Sequence, residues 1–135
     1  MLCASADTIE KERSVCSPKG TDVCKIARKI ASEMAPLLPM RLSSNLVIQT
    51  VFAVKRSIGI TAKFEYSKSH LEDALSSSGM SNNDMLAIMR KHARDGFCQP
   101  NTPNKSFIDL GGVVEYHYRF NDGSLYTQQR IDSCL

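Results

Sequence analysis

Between Val23 and Met34 the apolar positions are Val23, Ile26, Ala27, Ile30, Ala31 and Met34, the i, i+3, i+4, i+7, i+8, i+11 series of an amphipathic helix. Lys25, Arg28, Lys29 and Glu33 fall on its other side, Thr21-Asp22 offers N-cap chemistry, and Pro36 and Pro39 stop it. From Asn45 the period changes to two. Leu46, Ile48, Thr50, Phe52 and Val54 share one side of an expected strand, with Val47, Gln49, Val51 and Ala53 on the other. After the polar turn Lys55-Arg56-Ser57, the residues Ile58, Ile60, Ala62, Phe64 and Tyr66 alternate with Gly59, Thr61, Lys63 and Glu65. This second strand should pair with the first as a hairpin. A short helical stretch over 69–75 and a Ser76-Ser77-Ser78-Gly79 loop follow. Ser81, with Asp84 three residues on, then opens a second long helix as a capping box, with Met85, Leu86, Met89, Ala93 and Phe97 turned inward.

The connector Gln99 to Asn104 is rich in turn residues. A helical turn through Phe107-Ile108-Asp109-Leu110 ends on Gly111-Gly112. Val114, Tyr116, Tyr118 and Phe120 then alternate with Val113, Glu115, His117 and Arg119, a strand with one aromatic and one polar face. Asn121-Asp122-Gly123-Ser124 supplies a tight turn, because Asp-Gly readily takes the positive φ that a hairpin needs. Leu125 to Ile131 returns as a polar edge strand. The order α-β-β-α-α-β-β predicts an α+β fold with a four-stranded antiparallel sheet and helices packed on one face. At 135 residues the chain can bury one core, and the single domain is expected over 21–135.

Five cysteines change the picture of where such a domain works. Ala4-Ser5-Ala6 matches the small-residue pattern at which a secretory leader is cut. On that reading residues 1–6 are a leader remnant containing Cys3, and 7–20 are a polar N-terminal segment. Cys16, Cys24, Cys98 and Cys134 remain, an even set suited to an oxidising compartment, so a periplasmic or secreted location is expected. Three pairings are possible. Cys16 with Cys24 is favoured as close in the chain, and Cys98 with Cys134 because each closes an element. Loop-closure entropy assigns these bridges about 2.5 and about 4 kcal/mol. Their spacings match no zinc pattern, and the histidines are dispersed, so neither a metal nor a cofactor is expected. A net charge of +3, spread along the chain, is too mild to argue for nucleic acid, and no apolar run is long enough to span a bilayer.

Candidate functional residues lie on several elements. Glu115, His117 and Arg119, two apart, share one strand face, where a carboxylate beside a histidine could serve a small hydrolase or isomerase. The same pattern is also that of a solvated sheet face. Arg90, Lys91 and Arg94 form a basic helix face for an acidic partner. Lys55, Arg56, the connector from Gln99 to Lys105, and the turn holding Asp122 project as docking loops. Met85 and Met89 could line a site for an apolar small molecule between helix and sheet, although methionines at this spacing usually serve the core. The edge strand 125–131 could pair with a second copy to form a homodimer.

The run from Leu38-Pro39 through the alternating strands, then Cys98, Ile108-Asp109-Leu110-Gly111-Gly112, Tyr116-x-Tyr118, Asp122-Gly123 and Cys134, resembles small exported bacterial envelope proteins of immunity-like or secretion-accessory type. The resemblance covers roughly the last 100 residues and carries no catalytic residue. It implies a non-enzymatic role through protein–protein interaction, with a toxin or an envelope-machine component as partner.

Overall fold

The computed structural model describes residues 15–135, so Cys3 and the Ala4-Ser5-Ala6 pattern lie outside the described residues. Helix α1 spans Val23–Met34; Asp22 caps it by accepting from the backbone N–H of Lys25 at 3.1 Å. Its apolar stripe is the buried one: Val23, Ala27 and Ile30 enter the main core. A 3-10 turn over Ala35–Leu37 and the cis peptide bond before Pro39 lead the chain into strand β1, Met40–Ser43. Strands β2 (Leu46–Val54) and β3 (Ser57–Phe64) form the expected hairpin. Three helices follow: α2 (Lys68–Ser78), α3 (Asn82–Phe97) and α4 (Pro103–Asp109). Strands β4 (Val113–Arg119) and β5 (Leu125–Ile131) complete the chain.

The α+β class holds, but the sheet has five strands in the order β1-β2-β3-β4-β5 and is mixed. Strand β1 escapes the sequence pattern because four residues beside a proline show no alternation. Its exposed Arg41 ties it to the end of β3 through Glu65, with Nη2 to Oε1 at 2.6 Å. The antiparallel expectation fails at one seam, where β3 and β4 run parallel, Ser57 facing Val113 and Lys63 facing Arg119. The stretch between them carries α2, α3 and α4, which return the chain to the end from which β3 began. A parallel neighbour needs such a crossover.

A second difference lies inside β2. Ile48 pairs with Ala62, but Thr50 pairs with Thr61, so the register shifts across Gln49. One extra residue exchanges the two faces of a strand. Leu46 and Ile48 therefore point to the core side, as expected with their set, while Thr50, Phe52 and Val54 turn to the other. Phe52 is 46% exposed, its ring lying across Gly59 on the open face. Val51 and Ala53 take the core side in their place.

The core lies between the helices and one sheet face. Ile58, Ile60, Phe107, Ile108, Val114 and Ile131 are nearly inaccessible. The capping box of α3 forms as read, Ser81 Oγ accepting from Asp84 N–H while the Asp84 carboxylate accepts from Ser81 N–H, both at 3.1 Å. That carboxyl is held below its usual range by the hydrogen bonds from Ser81. Helix α4 is a full element and more than the expected turn: Pro103 starts it, Thr102 caps it, and Phe107 and Ile108 anchor it. Both disulfides have the favoured pairing, Cys16–Cys24 and Cys98–Cys134. No described helix is long and apolar enough to cross a membrane.

Candidate functional site

Helix α3 is fastened to β5 along its length. Near its start the Tyr126 hydroxyl donates to Asn82 Oδ1 at 2.6 Å. One turn on, Gln129 Nε2 donates to the Leu86 carbonyl at 2.9 Å. At its end Cys98 is bonded to Cys134, and Arg94 donates to the Leu135 carbonyl at 3.4 Å. These links hold α3 over the β4–β5 side of the sheet, whereas α1 packs on β2 and β3. A groove of about 530 Å³ lies between them.

Its floor is the core face of the sheet: Ile48, Ile60, Phe64, Tyr116 and Tyr118. One wall is α3, with Met85, Ile88, Met89 and His92; the other is formed by Met34, Met40 and Leu42. Four of the chain's six methionines thus line one groove. Ile88 and Leu42, 41% and 49% exposed, leave apolar surface open at the rim. Among the described lining residues there is no Asp, Glu, Lys or Arg. Ser43, Asn45, His92, Asn104 and three tyrosines supply all the polarity. Burial pushes the Tyr66 and Tyr116 phenols up to about 12, and raises Tyr118 further with help from neighbouring Tyr116. All three are neutral hydrogen-bonding groups at any physiological pH.

Of the residues singled out from the sequence, Met85 and Met89 line this groove and the charged ones do not converge on it. Lys55 and Arg56 occupy the β2–β3 turn, where Arg56 Nη1 donates to the Gly111 carbonyl at 3.2 Å and so fastens the crossover's end. On the outer side of α3, Lys91 pairs with Asp95 at 3.4 Å and Arg94 is engaged with Leu135, while Arg90 makes no ion pair among the described residues. Glu115, His117 and Arg119 lie on the open sheet face, opposite the helices. His117 Nε2 is 3.8 Å from Glu115 Oε2, and Arg130 of β5 approaches the same carboxylate at 3.7 Å. Arg119 Nη1 instead donates to the Gly123 carbonyl at 2.9 Å. Asp122 accepts from Ser124 N–H and Oγ, which keeps its carboxyl below the usual range and shapes the β4–β5 turn. Neither Glu115 nor His117 lines the groove.

Met85 and Met89 are the groove residues that helical spacing does expose. Met34, Met40, Leu42 and Ile88 were missed as a set because they come from four elements brought together only by the fold. The clustered methionine content was the available signal. The Cys16 and Cys24 sulfurs and an Asp22 carboxylate oxygen lie within 4.8 Å of one another, but both sulfurs are used in the disulfide and offer no thiolate to a metal.

Neither a protein-family model nor a curated protein sequence matches the chain. Solved structures do. The chain is similar to EpsS, the pilotin of the Vibrio vulnificus type 2 secretion system, with 16% identity and a TM-score of 0.61, over 90% of this chain and 91% of that one. It is similar to AspS, the type II secretion system pilotin of Vibrio cholerae, with 17% identity and a TM-score of 0.61, over 96% and 100%. A candidate secreted protein of Pseudomonas aeruginosa gives 17% identity and a TM-score of 0.63, over 98% and 100%. At these identities the likeness is one of fold, and what it establishes is that nearly the whole chain is built as two type II secretion pilotins are built.

Proposed function

We propose that this protein is a non-enzymatic accessory of an envelope secretion machine, periplasmic or secreted, which holds a helical segment of a machine component in the groove between α3 and the sheet. The observation that carries the reading is the groove itself: uncharged, walled by four methionines, and open at an apolar rim. Methionine side chains adapt to varied apolar shapes, which suits a surface that receives a peptide. A helical occupant suits the groove for a backbone reason. The groove floor is the face of a sheet whose strands already hydrogen-bond to one another, so a segment lying across that floor meets side chains and no backbone ladder, and only the outer edge of β1 in the wall offers one; a helix satisfies its own N–H and C=O groups and suits the floor. The likeness of the whole fold to two type II secretion pilotins points to a secretion machine as the source of that segment.

The test is site-specific photo-crosslinking in the native envelope, with the photoreactive residue placed at Ile88 or Leu42 on the groove rim, or at His117 on the opposite sheet face. Adducts to one secretion-machine component from Ile88 and Leu42, with none from His117, are expected. Adducts from His117 alone would overturn the groove as the docking site.

A further inference from the structure

Two phenols stand on the groove floor without a hydrogen-bond partner among the described residues. Tyr116 and Tyr118 are 7% and 4% exposed, and both line the groove. Alternate residues of β4, they put their rings side by side, centroids 5.8 Å apart and planes 13° from parallel. Tyr126, by contrast, spends its hydroxyl on Asn82. Among the described residues neither the Tyr116 nor the Tyr118 hydroxyl has a hydrogen-bond partner. Neither is sealed off, since Gln129 Oε1 is the one fully enclosed side-chain oxygen or nitrogen there that lacks a partner. Each hydroxyl therefore reaches solvent water, and the groove is the open space that both residues line.

An apolar segment that fills the groove expels that water. A wholly hydrocarbon face would leave two buried phenols unpaired, and an unpaired buried hydroxyl is costly. A carboxylate or ammonium would fare no better, because the described lining holds no Asp, Glu, Lys or Arg to offset a buried charge. A neutral group that both donates and accepts meets neither penalty. We infer that the Tyr116–Tyr118 pair selects the docked helix by a neutral hydrogen-bonding side chain, a carboxamide or hydroxyl, carried in the middle of its otherwise apolar face. This rests on the groove being the docking site for a helix, as proposed above. Sites built to pair with a polar group reject the analogue lacking it more strongly than apolar pockets reject a changed methylene.

The probe is a displayed library of amphipathic helical peptides varied along the apolar face. It is selected separately on the wild-type protein and on the Tyr116→Phe/Tyr118→Phe variant, which keeps both rings. Synthetic peptides from each pool are then measured by fluorescence anisotropy. Wild type is expected to enrich Asn, Gln, Ser or Thr at one apolar-face position, and to bind a Gln peptide about tenfold more tightly than its Leu counterpart. The double variant is expected to lose or reverse that preference. An Ile88→Lys variant, charged at the rim, reads the groove separately. If selected peptides bind equally well to Ile88→Lys, or none are enriched on wild type, the groove reading falls and this inference with it. If Ile88→Lys abolishes binding but wild type and the double-Phe variant select the same residues, only the phenol inference is overturned.

Discussion

Replacing Cys98 and Cys134 together by serine should destabilise the protein by about 4 kcal/mol. The bridge joins residues 36 apart in sequence, and the loop-entropy relation gives about 13 cal/mol/K for a loop of that size, or about 4 kcal/mol near room temperature. That is a large share of the roughly 5–15 kcal/mol that stabilises a small domain. The native side should change little. Both cysteines are only half buried, so the serine hydroxyls can reach water. The end of α3 is also held by Phe97, which packs edge-on against buried Phe107 with ring centroids 6.4 Å apart. Cys16 and Cys24 are only 8 apart, and the same relation predicts about 2.5 kcal/mol for their removal. Urea unfolding of the two double variants, read by far-UV circular dichroism and extrapolated linearly, gives both values. The slope should steepen on loss of the longer loop, because the unfolded chain expands further. A loss below about 1 kcal/mol for the Cys98–Cys134 pair would refute the reasoning from unfolded-state entropy.

Two further outcomes follow from the packing. A methyl group at Gly112 would lie 2.4 Å from the Phe107 ring, which is wholly buried, whereas one at Gly59 would lie 2.2 Å from the half-exposed Phe52 ring, which can swing into solvent. Gly112→Ala should cost about 1–3 kcal/mol and Gly59→Ala less than about 1 kcal/mol; urea midpoints in the opposite order would show that the open-face ring is the more rigid. The tyrosines set an alkaline limit. Burial lifts Tyr116 to about 12 and Tyr118 higher still, while an unfolded tyrosine titrates near 10. The folded state thus keeps protons that the unfolded state releases, so their contribution is complete below about pH 10 and is lost as pH climbs through about 12. Wild type should lose more stability between about pH 9 and about pH 11 than Tyr116→Phe/Tyr118→Phe; parallel losses would contradict the buried phenols.

Local signals read well where one element alone decides them. The stripe of α1, the Ser81–Asp84 capping box, the β2–β3 hairpin and the aromatic core face of β4 all follow from spacing and cap chemistry. The bulge at Gln49 did not, because alternation continues in the sequence through a residue that the partner strand fails to match. Thr50, Phe52 and Val54 were consequently expected on the same side as Ile48 and lie on the other. Glu115 and His117 were legible as one polar strand face, and that face is the open side of the sheet, as its alternation with buried Tyr116 and Tyr118 implies.

By itself the sequence determined the α+β class and the two long amphipathic helices, and it favoured, among three possible pairings, the one that the four described cysteines adopt. Each depends on residues near one another in the chain or on the small number of ways to close an even set. Only the tertiary structure decided that β3 and β4 run parallel, that Met40–Ser43 adds a fifth strand, and that Met34, Met40, Leu42, Met85, Ile88 and Met89 wall one groove over Tyr116 and Tyr118. The crossover direction and the gap between α1 and α3 arise from where packed layers come to rest. That position is set by the sum of many contacts across the fold, including the links from Tyr126, Gln129 and Cys134 that hold α3 to the sheet edge.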